Sequence, residues 1–163
     1  MSFQGRNLWA YDVSLSILLA ELMNVISDLD LAKRPRWLSK LLPDLRRHAI
    51  LGANAHLDLD LGLNESEREQ LLVLIAEASR RLRERETITA ADSATWEVLD
   101  GHTVIWRSAP TVATCDMADL GDAIIGLVRG TLPTPPDGTW WLFGLPGGPR
   151  TIKMGGKPAD SSS

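Results

Sequence analysis

The sequence predicts one α+β domain, in which a helical N-terminal half packs on a mostly antiparallel sheet formed largely by the C-terminal half. Apolar residues recur every three or four positions through much of the first 85 residues, which is the period of amphipathic helices. Beyond residue 95, alternating runs are separated by turns rich in glycine and proline, as in antiparallel strands. The length of 163 residues suits a single domain, which we place at residues 1–155 with a disordered tail at 156–163.

Two helical segments are predicted in the first fifty residues. The first begins at Asp12, a plausible N-cap, and runs to Ser27 with one apolar side. The second begins at Pro35, whose missing N–H is harmless in a first helical turn. Pro43 lies inside the second apolar stripe and is expected to kink that helix or split it in two, since its ring clashes with the preceding turn.

The middle of the chain predicts a strand followed by a long helix. The stretch HLDLDLG, residues 56–62, alternates leucine with polar residues, which is the period of a half-buried strand. Asn64 and Glu67 have the spacing of a capping box, so a helix is expected to begin at residue 65 and continue to about residue 85. The arginines of its last turns lie near the negative end of the helix dipole, which explains them without a ligand.

The C-terminal half predicts a hairpin, a helix and two further strands. Asp100 and Gly101 separate two alternating runs and form a strong hairpin signal. Asp116 is a plausible cap for a helix over residues 117–129, which Gly130 terminates. After a proline-rich connector, TWWLFG and RTIKMG are predicted as strands joined by the turn LPGGP.

Composition and charge restrict the classes of function. A single cysteine, Cys115, excludes an intrachain disulfide and fits a reducing cytoplasm. The sequence shows no signal-peptide pattern and no apolar run of the ~20 residues that a membrane span needs. The net charge of −4 argues against nucleic acid as the main partner. A basic segment over residues 33–47 keeps RNA or DNA binding as a third possibility, although a solvated helix face is the preferred explanation.

Two chemical sites are conceivable from the sequence. On a strand, His56, Asp58 and Asp60 would point to the same side, and imidazole and carboxylate groups are ligands for zinc or iron. A polar strand face beside a leucine core explains the same residues, and we predict no bound metal and no cofactor. Cys115 stands just before a predicted helix, where a thiolate would be stabilised, but Asp116 beside it opposes that effect. No catalytic residue is assigned.

The tryptophans carry the strongest hint of binding. The chain has six tryptophans against one tyrosine and two phenylalanines. Trp140 and Trp141 are adjacent, so on a strand they face opposite sides. Either both faces of that strand are covered, or one indole is an aromatic anchor, a residue type enriched in binding hot spots. With the acidic residues of the middle segment, this predicts a partner-binding set of Asp58, Asp60, Trp106 and Trp141.

These observations predict a non-enzymatic protein-binding module of the cytoplasm that occludes or regulates another protein. In size and acidity the chain resembles the immunity proteins that neutralise bacterial toxins. This resemblance implies a protein partner such as a basic toxin, steered by acidic residues and held by aromatic ones. The alternative is a small enzyme, either metal-dependent through His56, Asp58 and Asp60 or thiol-based through Cys115.

Overall fold

The computed structural model describes residues 1–30, 34–51, 59, 62–89, 91–92, 97–99, 102–103 and 111–153. Four helices account for most of this part of the chain. They are α1 (Asp12–Ser27), α2 (Arg36–Leu51), α3 (Glu65–Arg85) and α4 (Cys115–Arg129). No helix among the described residues is both long and apolar enough to cross a membrane.

Nine short strands accompany the helices among the described residues. They are β1 (Ser2–Phe3), β2 (Arg6–Asn7), β3 (Trp9–Ala10), β4 (Thr87–Thr89), β5 (Glu97–Leu99), β6 (His102–Thr103), β7 (Thr111–Ala113), β8 (Thr139–Phe143) and β9 (Arg150–Lys153). They form antiparallel pairs β1–β2, β4–β7 and β5–β6, and one three-stranded sheet in the order β3–β8–β9. In that sheet β3 is parallel and β9 antiparallel to β8.

Helix α1 is the centre of the core. It packs against α2, α3 and α4, and twelve of its sixteen residues are buried. The sequence predicted only one buried side, but three neighbours cover this helix almost completely. As a result Glu21 is fully buried, and its carboxylate lies 3.9 Å from a guanidinium nitrogen of Arg81 and 3.4 Å from one of Arg85. A buried carboxylate needs such cations nearby, because desolvation of an isolated charge is costly.

The helix boundaries follow the sequence signals closely. Helix α3 begins with the complete Asn64–Glu67 capping box and presents a buried apolar stripe. Helix α2 is continuous through Pro43, so it is one helix rather than the two short helices that the sequence left equally open. Pro43 and Ser39 are both exposed, which lets water satisfy the carbonyl that loses its helical partner.

Two helix starts differ by one or two residues from the predicted positions. Tyr11, rather than Asp12, occupies the N-cap of α1, and Thr114, rather than Asp116, occupies that of α4. Neither N-cap side chain accepts a capping hydrogen bond. Asp116 instead accepts a hydrogen bond from the backbone N–H of Gly148 at 3.1 Å, which ties the β8–β9 turn to the start of α4. The predicted stop at Gly130 is confirmed, since this residue has φ 75°.

Helices α3 and α4 approach each other closely through small residues and ion pairs. A Cβ built on Gly121 of α4 would lie 2.0 Å from the hydroxyl oxygen of Ser79 on α3. Arg83 of α3 reaches Asp119 and Asp122 of α4, at 3.2 and 2.5 Å, and Arg129 of α4 reaches back to α3 at Glu69. The arginines of the last turns of α3 therefore hold the helices together, besides lying near the helix terminus.

The α+β class is confirmed, with smaller sheets than the sequence suggested. The helices pack on one another, and the three-stranded sheet adjoins α4 through β8. The hydroxyl of Ser14 in α1 donates to the carbonyl of Gly144 at 2.5 Å, which fixes the end of β8 to the central helix. The hairpin is formed by β5 and β6 with an irregular register. Most of the predicted strand at 56–62, and the tail at 156–163, lie outside the described residues.

Candidate functional site

Strand β8 divides its aromatic side chains between two faces. Trp141 and Phe143 lie on the side that packs against the core, with ring centroids 6.0 Å apart. Trp140 points to the opposite side, as the alternation of a strand requires. Trp141 therefore belongs to the core side of the sheet and Trp140 to the outward side, as the alternation of a strand predicts.

The outward side of the three-stranded sheet carries a cluster that we call the indole face, formed by Trp9, Trp140, Leu142 and Ile152. Cross-strand pairing places these residues together, because Trp9 is paired with Leu142 and Trp140 with Ile152. The Trp9 and Trp140 rings lie 6.0 Å apart at 58°, a tilted arrangement that aromatic pairs favour. Trp9 is 51% exposed, so a large indole surface faces solvent.

A groove that we call the proline groove adjoins the indole face. It has a volume of about 340 Å³, and Trp140 belongs to both surfaces. Its walls are formed by the β1–β2 turn and β2, by the end of α4, by the proline-rich connector and by β8. Trp141 forms part of the wall and is fixed there, since its indole N–H donates to the carbonyl of Pro133 at 2.7 Å. The lining residues are Gly5, Arg6, Asn7, Leu127, Leu132, Pro133, Thr134, Pro135, Thr139, Trp140 and Trp141.

The charged residues among those that form these two surfaces are positive. Arg6 is the charged residue among the groove's lining residues, and Arg150 is paired with Leu142 on the indole face. Strands β3, β8 and β9 contain no aspartate or glutamate. This local balance is opposite to the net charge of −4 of the whole chain.

A second groove, of about 470 Å³, lies between α3 and the beginning of α2. Trp37 of α2 and Leu74 and Val73 of α3 contribute to its apolar lining, and Val73 is 63% exposed. The groove shows an apolar surface beside α2 but no group that defines a ligand.

The predicted partner-binding residues have different outcomes. Trp141 lies on the core side of β8, as a half-buried wall of the proline groove. Asp58, Asp60 and Trp106 lie outside the described residues, as does His56 of the conceivable metal site. The structure therefore places one member of the predicted set and leaves the grouping of the four as a prediction.

The basic segment at 33–47 is partly structural. Arg34 donates to the carbonyl of Ile26 at 3.0 Å and so caps the end of α1, while Arg47 pairs with Asp44. Arg36, Lys40 and Arg46 are exposed on α2. Their positions agree with the solvated helix flank that the sequence offered as one explanation.

Of the two chemical sites that are conceivable from the sequence, only Cys115 lies within the described residues. Cys115 is exposed at the first position of α4 as a free thiol. Within the described part of the chain, no group of three or more histidine, cysteine, aspartate or glutamate side chains is arranged to hold a metal ion. The buried carboxylate of Glu21 is matched by arginines of α3, which gives it a structural role.

Sequence reasoning missed Trp9, Arg6 and Glu21. Trp9 joins the indole face through a parallel pairing with a strand more than 130 residues away, and no local pattern indicates such a contact. Arg6 reaches the end of α4 through a similarly distant contact. Glu21 lies outside the apolar stripe of α1 that the sequence shows. Its burial follows from the packing of three helices around α1, which the sequence did not indicate.

Comparison with known proteins gives no relative to this fold or site: the chain matches no protein-family model, and no curated protein or solved structure matches it significantly.

Proposed function

We propose that this chain is a non-enzymatic binding module that acts in the cytoplasm by occluding or regulating a protein partner. The observation that carries the proposal is the indole face, where Trp9 is half exposed and its ring packs at an angle against that of Trp140. Tryptophan buries a large apolar surface on binding and is enriched among residues that dominate interface energies. Among the described residues, Trp9 and Val73 are the exposed large apolar side chains.

The geometry of the indole face supports a binding surface over a merely incidental exposure. The tilted contact with Trp140 orders the Trp9 ring before a partner arrives, which lowers the entropy lost on association. Neither indole N–H has a hydrogen-bond partner among the described residues, so both remain available as donors. A partner that covers the face gains apolar contact and two possible hydrogen bonds.

Two features of the chain support the cellular setting and the kind of partner. The free, exposed thiol of Cys115 suits a reducing compartment, where it stays unpaired. The net charge of −4 favours the approach of a basic protein, because long-range attraction raises the association rate. An immunity-type inhibitor of a basic toxin is the most specific form of this proposal.

The test compares two exposed apolar positions on different faces. Tagged wild-type protein is used to capture partners from its native cell, and binding of any candidate is then measured by calorimetry with purified components. We expect Trp9→Ser to weaken the complex at least about tenfold, as for a hot-spot residue, and Val73→Ser to leave it unchanged. Thermal denaturation of both variants checks that the fold is retained.

A partner whose affinity is the same for wild type, Trp9→Ser and Trp140→Ser would refute the indole face as the binding surface. Substrate turnover lost in Cys115→Ser, with binding unchanged, would favour the thiol enzyme instead. A dependence on added zinc or iron, lost when Asp58 and Asp60 are replaced by alanine, would favour the metal enzyme.

A further inference from the structure

We infer that the proline groove binds a carboxylate carried by an acidic, apolar segment of the protein partner, with Arg6 as its cation. The inference rests on the proposed function, because the segment reaches the groove from the indole face. It specifies the chemistry of the segment that touches this chain, whereas the net charge of the whole chain governs only the approach of the partner.

The size and lining of the groove fit a small anchoring group. Its volume of about 340 Å³ lies in the range of ligand pockets, roughly 300 to 1,000 Å³. Apolar walls of Leu132, Pro133 and Trp140 surround a few polar groups, and Arg6 is the charged one among the lining residues. Pockets of this kind take an apolar body and orient it through one or two polar contacts.

Arg6 has hydrogen-bonding capacity that the fold leaves free. A guanidinium carries five N–H donors, and within the described structure Arg6 uses one of its terminal nitrogens, which donates to the carbonyl of Val128 at 3.3 Å. No carboxylate lies within ion-pair distance of Arg6 among the described residues. The remaining donors suit a carboxylate, which accepts two parallel hydrogen bonds from arginine.

The position of Arg6 is fixed before any ligand binds. Its guanidinium lies 5.6 Å from the centre of the Phe3 ring. It also fills the space beside Gly130, where the Cβ of any other residue would collide with it. The contact with Val128 explains part of this placement, since a cation near the end of α4 is stabilised by the helix dipole. The hydrogen bond to Val128 uses one N–H of Arg6, and in the groove the carboxylate of the partner accepts from the remaining ones.

The surrounding charges select an anion over a cation. Two tilted indoles alone would also suit an ammonium group, which is attracted to the faces of tryptophan rings. Here Arg6 lines the groove and Arg150 lies on the indole face, and the strands of the sheet carry no acidic residue. A cationic ligand would meet like charges, whereas an acidic segment finds complementary ones.

Continuity between the two surfaces identifies the occupant as a segment of a protein. Trp140 contributes to the indole face and to the wall of the groove, so an apolar side chain laid on Trp9 and Trp140 leaves a neighbouring carboxylate beside the groove. Successive side chains of an extended segment alternate in direction at about 3.3 Å per residue, which allows one to cover the indoles while another enters the groove.

The test uses two capped pentapeptides that differ only in charge: Glu-Leu-Asp-Phe-Glu and its amide counterpart Gln-Leu-Asn-Phe-Gln. Each is titrated into isotope-labelled full-length protein while the indole N–H signals are followed by NMR. We expect the acidic peptide to shift the Trp140 signal and to bind about tenfold more tightly than the amide peptide, because a charge-assisted hydrogen bond is lost in the latter.

Variants at Arg6 assign that preference to one cation. In Arg6→Gln the affinity for the acidic peptide should fall to that of the amide peptide, and in Arg6→Lys part of the preference should remain. Arg46→Gln, which removes an exposed cation of α2 that belongs to neither surface, is the matched control and should retain the preference. If Arg6→Gln does not fold, Arg6→Lys makes the same test, since an undiminished preference in that variant would contradict the role of Arg6.

Equal affinities for the two peptides would refute the carboxylate inference while leaving the indole face as a binding surface. Failure of both peptides to move the Trp140 signal at millimolar concentration would refute the groove as their binding site. By contrast, a partner complex that is indifferent to Trp9→Ser refutes the proposed function itself, so the two failures are distinguishable. If a small carboxylate such as indole-3-acetate binds as tightly as the acidic peptide, the ligand of the groove is a small molecule and the inference of a protein segment is wrong.

Discussion

The close approach of α3 and α4 makes the pair Gly121 and Ser79 a sharp test of the fold. In Gly121→Ala the new Cβ would lie 2.0 Å from the Ser79 hydroxyl oxygen, whereas ordinary contacts begin near 3.4 Å. Ser79 is fully buried, so its hydroxyl has little space to move. Overpacking of this kind costs about 1–3 kcal/mol, and the better helix propensity of alanine returns about 1 kcal/mol. We expect the free energy of unfolding to fall by about 1 kcal/mol.

Removal of the hydroxyl should reverse that loss. The Ser79 oxygen is buried and has no hydrogen-bond partner among the described residues, so Ser79→Ala alone is expected to stabilise the protein by about 1 kcal/mol. With the oxygen absent, the nearest remaining atoms to the new Cβ lie at 3.3 and 3.4 Å. The free energy of unfolding of the double variant should then exceed that of the wild type by about 2 kcal/mol, since each change contributes favourably. The coupling energy between the two substitutions is therefore about 2 kcal/mol.

Urea unfolding of the four proteins gives these values from the midpoints and slopes. Gly126→Ala is the matched control, because Gly126 lies in the same helix and a Cβ there meets nothing closer than 3.4 Å. It should stabilise the protein by about 1 kcal/mol through helix propensity alone. A Gly121→Ala variant as stable as Gly126→Ala, with coupling to Ser79→Ala below about 0.5 kcal/mol, would contradict the close contact between α3 and α4.

Three further predictions concern single positions in or beside α3. Glu86 has φ 60°, a backbone conformation that disfavours any residue with a Cβ. Glu86→Gly should therefore raise the free energy of unfolding, measured in urea, by about 1 kcal/mol. Equal stability of Glu86→Ala and Glu86→Gly would contradict this. Asn64→Ala removes the side-chain oxygen that accepts from the Glu67 N–H at 2.9 Å. The free energy of unfolding should fall by about 1 kcal/mol in the same measurement. An unchanged free energy of unfolding would mean that the capping box does not form in solution. Hydrogen bonds from Arg80 and Arg81 lower the pKa of Glu77 from 4.5 to about 2, so its contribution to stability is present above pH 4.5 and is lost as the pH falls towards 2. The difference in melting temperature between wild type and Glu77→Gln should therefore shrink over that range, and a constant difference would refute the ion pairs.

Local signals in the sequence were sufficient to place the helices. The capping box at Asn64 and the stop at Gly130 act within one or two turns, so their effect can be recognised without knowledge of the rest of the chain. The two strands around the LPGGP turn were predictable for the same reason. At α1 and α4 the predicted caps were close in position, but neither N-cap side chain forms a cap bond. The Asp116 carboxylate accepts a hydrogen bond from the β8–β9 turn instead.

The candidate site was only partly predictable. The alternation of a strand established that Trp140 and Trp141 face opposite sides, but which one faces outward depended on where the helices pack. Trp9 and Arg6 were not recognised, since they reach β8 and α4 through contacts between distant parts of the chain. The grouping of Asp58, Asp60 and Trp106 with Trp141 stays a prediction.

The sequence by itself determined the helices, the capping box of α3, the stop of α4 at Gly130, the C-terminal hairpin of strands and the division of the adjacent tryptophans between two faces. Each of these depends on residues within a few positions of one another, where backbone geometry and side-chain period dominate. Tertiary structure alone decided that α1 is enclosed with Glu21 inside it, and that Trp9 meets Trp140 beside Arg6. Those arrangements arise when distant segments compete to cover the same apolar surface, a choice that depends on packing rather than on any local pattern.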